Sequence, residues 1–450
     1  MKKPHQPLAQ YKMFENLSPP SQVMLMEESP TPPLPAAPRL RCADREREDP
    51  LPRRIDDLID ADHRARIIWA FVCGLDLSAL YARVKAVEGH PGSPAIDPRI
   101  LMAVWLYAII DHQTSARRIA ELCATHGAYR WLCGGVPVNH HTLSDFYTDH
   151  SEWLDQQFTL HLASLMQQGL VEVRRVAQDG VRVRASAGAA SFRRGETLQG
   201  CLEAAEAHLD RLRREREANP TEGNRRQRAA QARAARERCD RVREAVRQLP
   251  EVEAKKKEAD RKKARVSTTD PDARVMKMPD GGFRPAFNAQ LSTDTASQII
   301  VGVTVVNEGS DQGQLSPMLE QIHTRTGEYP DEALVDGGFA SKAEVEQCAE
   351  KPVILYAPVA KPKDDTRDRH EPLPNDSAAV AAWRQRMGTA EAKAIYKERA
   401  ATAECVNALA RNRGLRQFAV RGLEKAKTVL VWFALAHNVM REAALRPATA

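Results

Sequence analysis

Three carboxylates, Asp179, Asp336 and Glu404, carry the strongest chemical signal in the chain. Asp179 lies in Gln178-Asp179-Gly180-Val181-Arg182-Val183-Arg184-Ala185, where Asp179, Val181, Val183 and Ala185 alternate with Gly180, Arg182 and Arg184 as in a half-buried strand. A carboxylate in phase with an apolar face is costly unless a cation meets it. Asp336 follows the short apolar run Ala333-Leu334-Val335 and precedes Gly337-Gly338. Ligand sites in α/β sheets favour such strand ends, with backbone room beside them. Glu404 falls in a helical segment with Tyr396, Arg399 and Arg411, and at about 100° per residue the four side chains span an arc of about 140°. Hard oxygen ligands of this kind suit magnesium, and a pair of ions roughly 4 Å apart can stabilise the attacking and leaving oxygens of a phosphoryl displacement. Arg399 and Arg411 would then hold phosphates. Taken singly, each carboxylate suits an exposed charge or a helix end just as well, and periodicity does not show that the three meet.

The elements that must position these side chains follow from the hydrophobic period. Residues 58 to 169 read as a compact helical domain: Ile67, Ile68, Phe71 and Val72, then Ile100, Leu101, Val104, Trp105, Tyr107 and Ala108, recur at steps of three and four. Strand character begins near Val173. Residues 193 to 265 are rich in Arg, Lys, Glu and Ala, with a seam of Leu198, Leu202, Ala205, Leu209 and Leu212 broken at Asn219-Pro220-Thr221-Glu222-Gly223, which predicts a charged helical hairpin. Two strands, 287 to 293 and 298 to 306, flank the polar turn Asp294-Thr295-Ala296-Ser297. Helix (316–324), strand (333–336), helix (341–349) and strand (353–357) then alternate, followed by a polar loop (361–376) and two long helices, 378–411 and 422–443. This order predicts an α/β, ribonuclease H-like catalytic core with the helical hairpin inserted after its first strand, preceded by an all-helical domain.

Composition bounds the partners. With 42% hydrophobic and 28% charged residues, the chain is a globular protein able to bury a sizeable core. No apolar stretch approaches the ~20 residues of a membrane helix, and the N-terminus lacks a secretory pattern, so a cytoplasmic address and no membrane partner are expected. The eight cysteines form no Cys-x-x-Cys pair, which argues against zinc and disulfide scaffolds. His140-His141 is not a metal pair, because adjacent residues do not face one site on a helix. The net charge of +6 permits a polyanionic partner without requiring one. Proline-rich residues 1 to about 50 are expected to be a disordered lead-in.

Further motifs extend over most of the chain. Pro98-Arg99-Ile100-Leu101, Leu106-Tyr107, Ser115-Ala116-Arg117-Arg118-Ile119, Arg130-Trp131-Leu132 and His141-Thr142-Leu143-Ser144-Asp145-Phe146 mark the helical part. Beyond the first-aspartate segment come Ser267-Thr268-Thr269-Asp270-Pro271-Asp272-Ala273-Arg274, Phe287-Asn288-Ala289-Gln290, Gln298-Ile299-Ile300-Val301, Ser310-Asp311-Gln312 and Val335-Asp336-Gly337-Gly338-Phe339. The C-terminal part carries Tyr396-x2-Arg399-x4-Glu404-x6-Arg411, then Arg421-Gly422-Leu423 and His437-Asn438. With these motifs the chain resembles the DDE transposases of bacterial insertion sequences. One departure is Arg411, where that signature often has Lys; the charge is kept but a compact donor becomes a planar fork.

The resemblance implies that Asp179, Asp336 and Glu404 are the catalytic, metal-binding triad for two magnesium ions, with manganese able to substitute. It implies cleavage of a phosphodiester at the element's end and attack of the freed 3′-hydroxyl on target DNA, without a covalent enzyme intermediate. Tyr396, Arg399 and Arg411, with Arg117 and Arg118 of the helical domain, are the expected DNA contacts. The partners would be terminal inverted repeats and target DNA, bound by a homodimer. The expected partition is a helical DNA-binding domain over 55–170, a catalytic domain over 171–443 with its insertion at 193–265, and a tail at 444–450. The alternative is a catalytically inactive DNA-binding protein of transposase descent; intact Asp179, Asp336 and Glu404 argue against it. A coiled-coil assembly protein would leave the strand-borne aspartates unexplained.

Overall fold

A computed structural model describes residues 39–47, 54–89, 92–218, 224–362 and 367–446. The expected lead-in at 1–38 and 48–50, the helix break at 219–223 and the tail from 447 lie outside the described residues. The chain divides into two compact units, Met1–Val171 with Val431–Ala450, and Glu172–Leu430.

The first unit is helical: α1 (Arg64–Cys73), α2 (Ser78–Tyr81), α3 (Pro98–Ile110), α4 (Ala116–Thr125), α5 (Gly127–Cys133), α6 (His140–Thr148) and α7 (Ser151–Gln167), with short strands β1 (Leu40–Arg41) and β2 (Ala95–Ile96) paired in parallel. Helix α3 is its centre. Asp97 caps it by accepting from the Arg99 N–H, Pro98 occupies the first turn where no N–H partner is needed, and all its residues except Arg99 are buried. Trp105 of α3 donates its indole N–H to the Leu143 carbonyl (2.9 Å) and stacks on Tyr147 at 3.9 Å. Residues 39–47 correct the expected lead-in. β1 pairs with β2, and the Arg45 guanidinium sits 3.2 Å over the Trp69 ring, so this stretch is tied down by backbone pairing and a cation–π contact that composition does not reveal.

The second unit is built on a sheet. Its strands are β3 (Arg175–Arg184), β6 (Arg274–Lys277), β7 (Phe283–Asp294), β8 (Ile300–Val306), β9 (Glu332–Leu334) and β10 (Ile354–Tyr356). β7 runs antiparallel to β3 on one edge and to β8 and β6 on the other; β9 lies parallel to β3, and β10 parallel to β9. β6 was not expected from the sequence. Its four residues give too few positions for alternation to register, although its partner β7 follows directly across the turn at 278–282. The turn after β7 forms as its polar residues suggest, with Asp294 Oδ2 accepting from the Ser297 N–H (2.8 Å) and hydroxyl (2.6 Å).

Between β3 and β6 come α8 (Gly195–Ala218) and α9 (Arg225–Ala254), flanked by the paired short strands β4 (Phe192–Arg193) and β5 (Val266–Ser267). The two helices pack through Leu198 and Ala245, and Arg243 of α9 pairs with Glu206 of α8 at 3.0 Å. After β8 follow α10 (Leu315–Thr326) and α11 (Lys342–Glu350).

The expected long helix over 378–411 is not continuous. It divides into α12 (Ala378–Gly388), α13 (Ala390–Arg399), a π-helical turn (Ala400–Glu404) and α14 (Cys405–Asn412). Thr389 ends the first segment by capping the second, its hydroxyl accepting from the Ala392 N–H at 3.1 Å. The last helix is α15 (Leu423–Leu445), whose residues from Val431 group with the first unit rather than with the expected catalytic domain. There Trp432 donates to the Tyr147 carbonyl (3.1 Å) and stacks on its ring, an aromatic pairing that sequence distance hides.

Candidate metal and phosphate site

Strand β3 presents Asp179 on the same side as Val181 and Val183, both buried, while Gln178, Gly180 and Arg182 point to the other side. On its parallel neighbour, Arg175 lies level with Glu332 and Ala177 with Leu334; carrying that register onward brings Asp336 level with Asp179. Asp336 is held just past the strand by a local turn, its Oδ1 accepting from the Gly338 N–H at 2.8 Å.

The π-helical turn faces this sheet. An ideal α-helix from Tyr396 to Arg411 would leave Glu404 far around the axis from Arg399. One extra residue in a π-turn retards every later position by about 100°, which narrows the arc of Tyr396, Arg399, Glu404 and Arg411 from about 140° to about 60° and brings Asn407 beside Arg399. The contacts agree. Arg399 Nη2 lies 3.2 Å from Asp179 Oδ2, and Asn407 Nδ2 donates to the same oxygen at 3.0 Å. Arg399 Nη1 also reaches Glu404 Oε1 at 3.3 Å. Arg175 of β3 anchors α13 from below by pairing with Glu332 and, at 2.7 Å, with Glu398.

Asp336 belongs to the same electrostatic neighbourhood. Burial pushes the Tyr396 phenol upward; Arg399 opposes the shift, and Asp336, Asp179 and Glu404 all add to it. Asp179 likewise has its carboxyl raised, first by burial, against the lowering effects of Arg399 and the Gly180 N–H, with Asp336 and Asp311 adding repulsion. Arg399 therefore touches both Asp179 and Glu404, while Asp336 and Tyr396 lie within electrostatic reach of Asp179. Arg411 lies on the same helical face but is exposed, its Nε donating to the Asn407 carbonyl at 3.3 Å. Arg117 and Arg118 belong to the other unit, exposed on α4, with Arg118 paired to Glu121 at 3.0 Å.

Among the described residues, no three His, Cys, Asp or Glu side chains are close enough together to hold a metal ion. The Arg399 guanidinium lies between Asp179 and Glu404 instead. The donor chemistry nevertheless fits a hard cation: the acidic groups are oxygen donors, Asp179 is mostly buried beside like charges, and Asn407 Oδ1 is buried without a hydrogen-bond partner.

Four motifs outside the triad acquire structural roles. On the face of the sheet away from Asp179, Asp311 accepts from Asn288 Nδ2 (2.8 Å), Gln290 Nε2 (2.7 Å) and Arg182 Nη2 (2.8 Å), joining Phe287-Asn288-Ala289-Gln290 to Ser310-Asp311-Gln312. Gly180 is required there, since a Cβ would fall 2.3 Å from Asp311 Oδ1 and 2.5 Å from Gln290 Nε2. Asp270 and Asp272 accept from the N–H groups of Gly422 (3.1 Å) and Leu423 (2.9 Å), so Ser267-Thr268-Thr269-Asp270-Pro271-Asp272-Ala273-Arg274 caps the start of α15 at Arg421-Gly422-Leu423. Asn407 was missed by sequence reasoning. Its place one turn beyond Glu404 on a polar face was visible, but its contact with Asp179 depends on the π-turn.

Comparison with known families agrees with this picture. Residues 53–149 match the family described as Transposase domain (DUF772), and residues 346–442 match a Transposase DDE domain. No curated protein and no solved structure matches the chain. The first match falls in the helical N-terminal region and the second in the C-terminal part of the chain, and the mixed sheet-and-helix architecture is consistent with an α/β transposase. Together the two matches support an insertion-sequence DDE transposase. Asp179 and Asp336 lie between the two matched segments, and Glu404 lies within the second.

Proposed function

We propose that this transposase binds its element's terminal repeats and carries out magnesium-dependent strand cleavage followed by 3′-hydroxyl strand transfer, with Asp179, Asp336 and Glu404 as the metal-binding triad. The observation that carries this reading is the contact of Arg399 with both Asp179, in the middle of β3, and Glu404, with Asp336 just past β9 and Tyr396 in the same electrostatic neighbourhood. The sheet order β8-β7-β3-β9-β10, antiparallel then parallel, supports a ribonuclease H-like core with the α8–α9 pair as a helical hairpin inserted after its first strand. Residues 55–170 are the proposed DNA-binding domain, presenting Arg117 and Arg118, and residues from 171 the catalytic domain.

Asp179, Asp336 and Glu404 would hold two magnesium ions, or manganese in their place. A bound cation there would supply charge neutralisation of a phosphodiester and activation of the attacking oxygen. The protein's own groups do the positioning. The Gly180 N–H and Asn407 amide fix Asp179; Arg399 sits beside the carboxylates and, with Arg411, is placed to take phosphate oxygens; Tyr396 lines the same face. A homodimer on paired element ends, acting at the nucleoid in the cytoplasm, completes the proposal. Among the described residues no helix is long and apolar enough to cross a membrane.

The test is strand cleavage and joining on DNA carrying the element's own ends with magnesium, comparing wild type with Asp179→Ala, Asp336→Ala and Glu404→Ala. Activity lost in all three with DNA binding retained supports the assignment. Wild-type binding without either reaction would overturn it in favour of an inactive DNA-binding scaffold.

A further inference from the structure

Asn407 is almost fully buried, at 2% exposure, on α14 one helical turn beyond Glu404. Burying a primary amide is costly unless its polar atoms are satisfied. Only half of this one is. Its Nδ2 donates to Asp179 Oδ2 at 3.0 Å, whereas its Oδ1 has no hydrogen-bond partner. The amide cannot flip to relieve this, because an ionised carboxylate only accepts and would then face the amide oxygen.

The rest of Asp179 is already engaged. Its Oδ1 accepts from the Gly180 N–H at 2.8 Å, and its Oδ2 takes both Asn407 and Arg399. The carboxylate is therefore held in one orientation by two neutral donors and one cation, and Asn407 is the neutral donor supplied by another element. Oδ1 and Nδ2 share one carbon, so a hard, uncharged oxygen is fixed beside the buried aspartate. An unpaired buried acceptor destabilises a fold that has no use for it. A divalent cation on Asp179, or water carried with it, would satisfy that oxygen.

We infer that Asn407 is a positioning residue of the metal site: its amide nitrogen orients Asp179, and its amide oxygen is a further donor toward the cation. The inference rests on the proposed role of Asp179. It adds a residue to the site that none of the sequence motifs assigns, one whose alignment depends on the π-turn at Ala400–Glu404. An apolar side chain of similar shape would pack equally well against the sheet but would remove both functions.

The test measures manganese(II) affinity of the full-length protein without DNA, by electron paramagnetic resonance of the free ion, for wild type, Asp179→Asn, Asn407→Leu, Asn407→Ala and Asn407→Asp, with folding followed by circular dichroism. Partners that orient a metal-binding side chain commonly contribute 10- to 100-fold in affinity, so Asn407→Leu and Asn407→Ala should weaken binding about tenfold or more. Asn407→Asp retains an oxygen toward the cation but loses the donor to Asp179 Oδ2, so it should bind more weakly than wild type and more tightly than Asn407→Leu. The inference is overturned if Asn407→Leu or Asn407→Ala lowers thermal stability while manganese affinity stays within about twofold, or if Asn407→Asp weakens binding as much as Asn407→Leu. Manganese binding by wild type that is indifferent to Asp179→Asn, or no binding at all, overturns the assignment of Asp179 itself and the inference with it.

Discussion

The guanidinium of Arg399 lies 3.2 Å from the Asp179 carboxylate, both side chains largely buried, at 11% and 17% exposure. With Asp336 nearby, Asp179 would otherwise be a buried charge among like charges, so Arg399 occupies the electrostatic role that a metal ion would fill.

Removing that charge should expose the repulsion. Arg399→Met keeps the aliphatic stem and should cost about 3 kcal/mol of stability in the presence of a chelator, within the range for breaking a buried pair. Magnesium should restore more stability to the variant than to wild type. Urea unfolding with and without magnesium measures both effects; equal stability of the two proteins in chelator would contradict the pairing's importance.

The π-turn makes a distinct prediction. Because it accommodates one additional residue, deleting the exposed Ala401 should give a regular helix that keeps Glu404 and Asn407 facing the sheet. Deleting Ala408, in the regular α14, should instead turn Ala410 out of its buried position and destabilise the protein by about 2 kcal/mol or more. Thermal melting and manganese binding of the two deletions separate these outcomes. Loss of manganese binding in the Ala401 deletion would show that the register argument is wrong.

Gly180→Ala should be severe for a position in a strand. Its new methyl would overlap Asp311, Gln290 and Asn288 at 2.3, 2.5 and 2.8 Å, in a polar cluster with little room to move. A loss of about 2–3 kcal/mol is expected, typical of forced overpacking. Denaturant unfolding would show it, and an unchanged midpoint would mean the cluster can relax.

Asp270 gives a pH dependence with a definite sign. Burial pushes its carboxyl up to about 6, against 3.8 for the ordinary group, with the Gly422 N–H opposing the shift. The protonated form is therefore favoured in the folded protein. Its stabilising effect is complete below the unfolded value of about 3.8 and is lost as pH rises through about 6. Relative to Asp270→Asn, wild type should lose up to about 3 kcal/mol between pH 4 and pH 7. Stability curves for the two proteins that run parallel over this interval would refute it.

Much of this architecture is written in short-range pattern. Asp179 falls in phase with Val181 and Val183 because strand side chains alternate, and the turn at Asp294 forms because Asp and Ser bond locally to backbone. Helix α3 announces itself by its Asp97-Pro98 start and a dense apolar run. By contrast, β6 is too short to show a period, and residues 39–47 look like the polar and proline-rich stretch around them until Arg45 meets Trp69.

The amino-acid sequence alone determined the candidate carboxylates, the strand and helix character around them and the family resemblance, since residue type, spacing and local propensity act within a few residues. Only the tertiary structure decided that Arg399 and Asn407 meet the same oxygen of Asp179 and that Asp336 follows a strand paired in parallel with β3. Those outcomes depend on the register between distant strands and on one extra residue in a helical turn. A single-residue shift in either turns a side chain to another face, and no local pattern records which register the packed core selects.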